Sequence, residues 1–279
     1  MVRGRAVSLR RKDQAVSPEI EVEAPTRRPL PYGLFSAATE RTEDRRWSNG
    51  VEWMGAGCGL PFATGDVCED DVSFESAEKG TVGEASPFTV YAPFECSPVA
   101  WTAESAIGRA RERLVAGEEQ TVERVLMTGA VGNTPSLQAD AETITTAPLS
   151  PVRLLARLEQ WLADNYAAQG VLHLTREAGS VFASQGLIRE SGSRMLTRLG
   201  TPVAVGGGYV NQSPDGAEAE DGQFWAYMSP AVIYYQGAVG SDTATALDKR
   251  RNDLLATAFR SYVVGYDSCG VAAGVAAVD

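Results

Sequence analysis

Residues 88–129, FTVYAPFECSPVAWTAESAIGRARERLVAGEEQTVERVLMTG, constrain the fold more than any other stretch. An aromatic-rich extended segment turns at Ser97-Pro98 and feeds a long, mostly polar helix that stops at a glycine. Thr102 is the expected N-cap, with Glu104 favourably placed in the first turn. Gly129 suits the position just past the helix end, where a left-handed backbone is wanted. The helix spans about 26 residues, roughly 39 Å at about 1.5 Å per residue. Ile107, Leu114, Val122, Val125 and Leu126 give it only a thin apolar stripe. Gly108 and Gly117 each cost about 1 kcal/mol against alanine, and are expected to bend the helix or to allow close packing. A helix this polar reads as an exposed strut that neighbouring copies of the chain would cover. It points to an assembly protein rather than a catalyst.

Charge is unevenly spread. The 279 residues carry a net charge of −11. Residues 1–30 hold seven basic and four acidic groups, so the remainder, with 18 basic and 32 acidic groups, is strongly acidic. A basic arm on an acidic body fits docking onto a like neighbour, or touching nucleic acid. The acidic body argues against a dedicated DNA reader, which needs a basic face to release phosphate counterions. There is no apolar run of membrane-spanning length and no secretory signal. Cys58, Cys68, Cys96 and Cys269 form no CxxC pair, so free thiols in a reducing cytosol are expected.

Along the chain, residues 1–31 read as an extended Arg- and Pro-rich arm. Residues 32–87 are rich in Gly and acidic groups. Asn49-Gly50, between Trp47 and Val51-Glu52-Trp53, is a hairpin signal. Residues 66–84 hold seven acidic groups and one lysine, which suits a projecting loop. Residues 130–149 read as a turn-rich linker. Ser150-Pro151 starts a helix whose buried face is expected at Val152, Leu155, Leu158, Leu162 and Tyr166. Residues 171–174 read as a short buried strand. Thr175 caps a helix to Ser184, and residues 201–205 form a strand ahead of an open Gly206-Gly207-Gly208 loop. Residues 211–222 read as an acidic surface loop. Strands follow at 224–236, broken near Ser229-Pro230, and at 256–266, with a small, buried final strand at 269–278. This irregular mixture is α+β rather than a βαβ alternation.

The motifs for chemistry are weak. The triple glycine lacks the GxGxxG spacing at a helix start. His173, flanked by leucines, reads as a hydrogen-bonded core residue, since a catalytic base also needs a nucleophile and an orienter in reach. Cys58 and Cys68 are too isolated for a zinc site, although a disulfide between them would suit an oxidised particle. Glu69-Asp70-Asp71 lacks calcium-loop spacing and reads as a solvated acidic loop. No catalytic residue, cofactor or metal is expected, and the chain does not read as an enzyme.

Three runs carry a resemblance. YAPFECSPVAWTAESAIGRARERLVAGEEQTVERVLMTG resembles the segment entering the long spine helix of tailed-phage major capsid proteins. VLHLTREAGSVFASQGLIRESGSRMLTRLGTPVAVGGGY resembles the following axial domain, and ALDKRRNDLLATAFRSYVVGYD the closing strands of the peripheral domain. The resemblance covers about residues 88–270 and lies nearest the capsid proteins of phages infecting actinobacteria. It implies an N-terminal arm (1–31), an extended loop (32–87), a peripheral domain with the spine helix (88–149), an axial domain (150–235) and peripheral closing strands (236–279). It implies a structural protein that assembles with itself, as hexamers and pentamers, into an icosahedral head shell around double-stranded DNA. The place implied is the virion capsid, assembled in the host bacterial cytoplasm. Portal protein, and a scaffold or decoration protein, are further implied partners; with no long helical leader, a separate scaffold or none is expected. Arg3, Arg5, Arg10, Arg11, Trp47 and Trp53 are the expected inter-subunit contacts. Some family members weld subunits through a Lys–Asn bond. Lys79 and Asn252 are the one such pair the sequence offers, without a local motif, and no cross-link is expected. An encapsulin-type nanocompartment shares the fold, but residues 1–31 lack its leading amphipathic helix. A soluble enzyme is the alternative of a different class.

Overall fold

The computed structural model describes residues 24–42, 45–61, 80–96, 102–243 and 254–278. The N-terminal part holds α1 (Leu34–Ala37), β1 (Thr39–Glu40), β2 (Val51–Met54), β3 (Val82–Ala85) and β4 (Pro87–Cys96). The long helix α2 (Ala103–Thr128) follows, then a short α3 (Leu137–Asp140) and β5 (Ala141–Leu149). The middle of the chain runs α4 (Pro151–Asn165), β6 (Val171–Thr175), α5 (Arg176–Ser184), β7 (Ile188–Ser191), β8 (Arg194–Thr197) and β9 (Pro202–Gly206). It continues with β10 (Gln223–Ser229), β11 (Val232–Gln236), β12 (Gly240–Asp242), β13 (Leu254–Tyr266) and β14 (Val271–Ala277).

Among the described residues these strands make three sheets, of five, seven and two strands. In the first, β13 is the centre. It pairs antiparallel with β4 along one side and with β11 and β12 end to end along the other, while β1 adds parallel to β11. The second sheet has the order β5-β14-β10-β6-β9-β8-β7, with α4 and α5 packed against it. The third is a two-stranded ribbon of β2 and β3.

The spine helix begins at Thr102, whose hydroxyl accepts from Ser105 N while Ser105 bonds back to the Thr102 amide. It ends at Gly129 in a left-handed conformation (φ 65°). Both ends match expectation. The helix is less bare than its sequence suggests, however. Ala106, Ala110, Leu114, Val122, Val125 and Leu126 are buried against β4 and β13. The alanines let the helix sit close to the sheet, so the stripe is narrow but continuous. Gly108 and Gly117 face open space within the subunit, so neither serves close packing there.

Helix α4 buries Leu154, Leu155, Leu158, Trp161 and Leu162 against the second sheet. Each such side chain contributes about 1.5–3 kcal/mol by leaving water. Val152, expected on this face, is 53% exposed, because Leu154 and Trp161 turn the face toward themselves. β6 and α5 match their expected positions, including the Thr175 cap, which accepts from Ala178 N at 3.2 Å.

Three expectations give way. No hairpin turns at Asn49-Gly50: Arg45–Asn49 is a 3-10 helix, and the partner of β2 is β3, some thirty residues on. Trp47 drives this, stacking on Tyr235 of β11 instead of entering a strand. Residues 130–149 are not a linker but hold α3 and β5, because β14 needs a partner on its outer side. The second sheet thus takes β5 and β14 from either side of residues 150–235, while β11 joins the first sheet. The thiols are not all free: Cys58 and Cys269 form a disulfide across 211 residues of sequence, which leaves Cys96 of β4 outside it. Cys68 lies outside the described residues, as does the Glu69-Asp70-Asp71 run.

Candidate inter-subunit surfaces

The junction of the two large sheets is built on one face of α2. Glu123 is 1% exposed and its carboxylate accepts from two backbone amides: Leu34 N at 3.0 Å and Gly208 N at 2.8 Å. One turn earlier, Glu119 accepts from Phe35 N at 2.8 Å. The spine helix thus grips the segment leading into α1 and the glycine loop after β9 together. The loop is glycine for a packing reason. A Cβ at Gly208 would overlap the Gln120 carbonyl, and one at Gly206 would press on the Glu123 carboxylate. The loop is closed down on the helix, not open, and its glycines are spent on backbone approach rather than on a phosphate. Burial pushes the Glu123 carboxyl up to about 7, against the two amide donors, which lower it; Glu119 raises it further and Arg176 lowers it. Burial likewise raises Glu119, against the Phe35 amide.

Two more polar groups lock the same region. Glu118 reaches Arg260 of β13 at 3.0 Å, and the same guanidinium donates to Gln236 at 3.1 Å. His173 is buried between Tyr209 and Ser229, each 2.8 Å from a ring nitrogen. The Ser229 hydroxyl donates to the Pro230 carbonyl, so it accepts from Nε2–H, and Nδ1 accepts from Tyr209. Burial pushes the imidazole down to about 3, which keeps it neutral. The expected reading of His173 as a satisfied core residue is borne out.

The outward surfaces carry the unpartnered apolar groups. On the ribbon, side chains alternate. Trp53 turns inward across Gly83 and Gly265, while Glu52, Met54, Val82 and Glu84 face out. Met54 is 79% and Val82 57% exposed, and the two are cross-strand partners. Glu52 and Glu84 are also directly opposed, a like-charge pair that destabilises an isolated ribbon. Elsewhere, a groove of about 550 Å³ runs between α2, β4 and residues 27–30. It is lined by Arg27, Arg28, Tyr91, Arg113 and Gly117, among others, with Tyr91 68% exposed. An acidic and apolar ribbon face and a basic and aromatic groove are complementary, and they lie on different parts of one subunit.

Of the contacts expected from sequence, Trp47 and Trp53 are half-buried inside the subunit. Arg3, Arg5, Arg10, Arg11, Lys79 and Asn252 lie outside the described residues. Sequence reasoning missed Glu123, Met54, Val82 and Tyr91. Among the described residues, no three His, Cys, Asp or Glu side chains gather as a metal ligand set. No described helix is long and apolar enough to cross a membrane.

No family model and no curated protein matches the sequence. Solved structures do match. A chain of Gordonia phage Cozz aligns with a TM-score of 0.56 at 13% identity, over 96% of this chain and 92% of that one. A chain of the capsid of Ralstonia phage GP4 gives 0.53 at 12% identity over 99% of both. A chain of the capsid of an empty GTA particle gives 0.54 at 10% identity over 96% of both. The spine helix, its flanking strands and the two sheets it joins thus give this chain the α+β tailed-phage capsid fold.

Proposed function

We propose that the chain is a structural protein that assembles with copies of itself, as hexamers and pentamers, into the icosahedral head shell enclosing phage double-stranded DNA. The observation that carries this reading is the end-to-end correspondence with a capsid chain of Ralstonia phage GP4, with 99% of each chain covered. The surfaces support it. The ribbon face of one copy, with Met54 and Val82 between Glu52 and Glu84, fits the Tyr91 groove of the next, where Arg27, Arg28 and Arg113 supply the opposite charge. Such a head-to-tail contact generates a ring when its rotation closes and an open filament when it does not, and a shell needs the first. The arm residues Arg3, Arg5, Arg10 and Arg11 would add electrostatic docking to a neighbour's acidic body. The exposed edges of Trp47 and Trp53 would lie at the rim of these contacts. In this reading the subunit belongs to the virion, assembles in the host cytoplasm, and meets a portal and packaged DNA as an acidic wall that does not adhere to it.

The test is electron microscopy and sedimentation of the chain expressed alone. Closed shells or capsomer rings are expected. A folded protein that stays monomeric at every concentration tried, at low and at physiological salt, refutes the reading. Glu52→Lys/Glu84→Lys places like charges against the basic groove. It should raise the concentration needed for assembly at least about tenfold, equivalent to about 1.4 kcal/mol, while the subunit stays folded.

A further inference from the structure

The Cys58–Cys269 disulfide joins the segment just after β2 to the turn between β13 and β14. We propose that it is a redox-controlled latch that fixes the β2–β3 ribbon to the body of the subunit. The ribbon has only four paired residues on each strand, too few to be stable by itself. Its described non-covalent ties to the body gather on the β3 side. Ala85 and Trp53 pack across Gly265, Ser86 N donates to the Thr134 carbonyl at 2.9 Å, and the Ser268 hydroxyl donates to the Val82 carbonyl at 3.1 Å, so the β2 side and the chain running on to Cys58 are held mainly by Trp53. Beside the ribbon an open cleft of about 710 Å³ separates the exposed Val82 and Glu84 from Asn133, Pro135, Asp140 and Tyr266 of the body. Asn133 is 5% exposed and, among the described residues, its Oδ1 has no partner, so the described part of the ribbon makes no polar contact with it. A short ribbon beside an open cleft has room to move, and among the described residues the Cys58–Cys269 bond is the covalent cross-link at its base.

Both cysteines are half-exposed, so small thiols can reach them. Closing the latch joins the two sulfurs and releases two protons and two electrons. A small-molecule disulfide such as oxidised glutathione accepts the electrons. One cysteine thiolate attacks it to give a mixed disulfide and one glutathione, and the second thiolate then displaces the other glutathione. A reducing dithiol reverses the reaction. In a reducing compartment the ribbon is therefore free to adjust, and in an oxidising one it is set.

The test uses the full chain as folded subunits, so its result does not depend on the shell reading. Peptide mapping without reduction should find Cys58 joined to Cys269 after treatment with oxidised glutathione. Hydrogen exchange over residues 51–61 and 80–85 should then accelerate at least about tenfold on reduction, with α4 and β14 unchanged. Cys58→Ser should exchange like the reduced protein and ignore the redox buffer, whereas Cys96→Ser should respond like the parent. Equal ribbon exchange in both redox states overturns the latch. So does mapping that joins Cys58 to Cys68 instead, or acceleration that spreads equally to α4 and β14.

Discussion

The carboxyl of Glu123 gives this subunit a pH dependence opposite to that of an ordinary paired carboxylate. Its folded pKa, about 7, lies above the unfolded value of 4.5. Between those values the folded chain keeps a proton that the unfolded chain has released, so stability falls as pH rises. At about 1.4 kcal/mol per pH unit, the 2.5-unit gap amounts to roughly 3 kcal/mol. That contribution is fully present below pH 4.5 and gone once pH has risen through 7. Glu123→Gln removes the titration. It also sets an amide nitrogen against one of the two backbone N–H groups of Leu34 and Gly208, at a pH-independent cost of about 1–3 kcal/mol. The variant should be the weaker protein at pH 4.5 and should gain about 3 kcal/mol on the parent by pH 8. Urea denaturation of subunits held below their assembly concentration, at matched m-values, measures both. Parallel pH profiles for the two proteins would refute the account and return Glu123 to an ordinary carboxylate.

Other substitutions probe the junction and the core. Gly208→Ala forces a methyl group into the Gln120 carbonyl; it should cost at least about 1–3 kcal/mol in denaturation and loosen the segment entering α1 in hydrogen exchange. Leu158→Asp buries a charge without a partner in the α4 core and should abolish soluble folded subunit, whereas Leu158→Ala should cost about 2–5 kcal/mol and leave a folded protein. Deleting residues 1–12 removes Arg3, Arg5, Arg10 and Arg11. The subunit should melt as before but assemble only at lower salt or higher concentration, and wild-type assembly would mean a passive arm.

Local signals made much of the fold legible. Thr102 and Gly129 bound the spine helix because capping is decided within one turn of chain. Thr175 bounds α5 for the same reason, and Pro151, whose ring suits the first helical position, marks the start of α4 although Ser150 makes no side-chain cap bond. What stayed hidden was set by partners distant in sequence. β5 looks like a linker because its Thr-rich run has no visible mate until β14 is placed beside it. Asn49-Gly50 mimics a hairpin turn, yet Trp47 finds Tyr235 nearly two hundred residues away. The Cys58–Cys269 bond spans the two ends of the described body, and spacing alone could not prefer it to a bond with Cys68. Glu123 gave no signal either, since an acidic residue on a polar helix reads as solvated until Leu34 and Gly208 are found against it.

The two large sheets share one property with a temporal consequence. The strand at the centre of the first, β13, and the strand bridging β5 to β10 in the second, β14, both come from residues 254–277. A nascent chain that has emerged only as far as residue 250 can form α2, α4 and the local β7–β8 hairpin. It has nothing to zip β4 to β11, or β5 to β10. Both halves of the molecule thus mature together, and only after residues 254–277 have left the ribosome. On a polysome, every nascent chain that has not yet emerged past residue 254 has both large sheets unclosed, so neighbouring chains present no finished surface to one another.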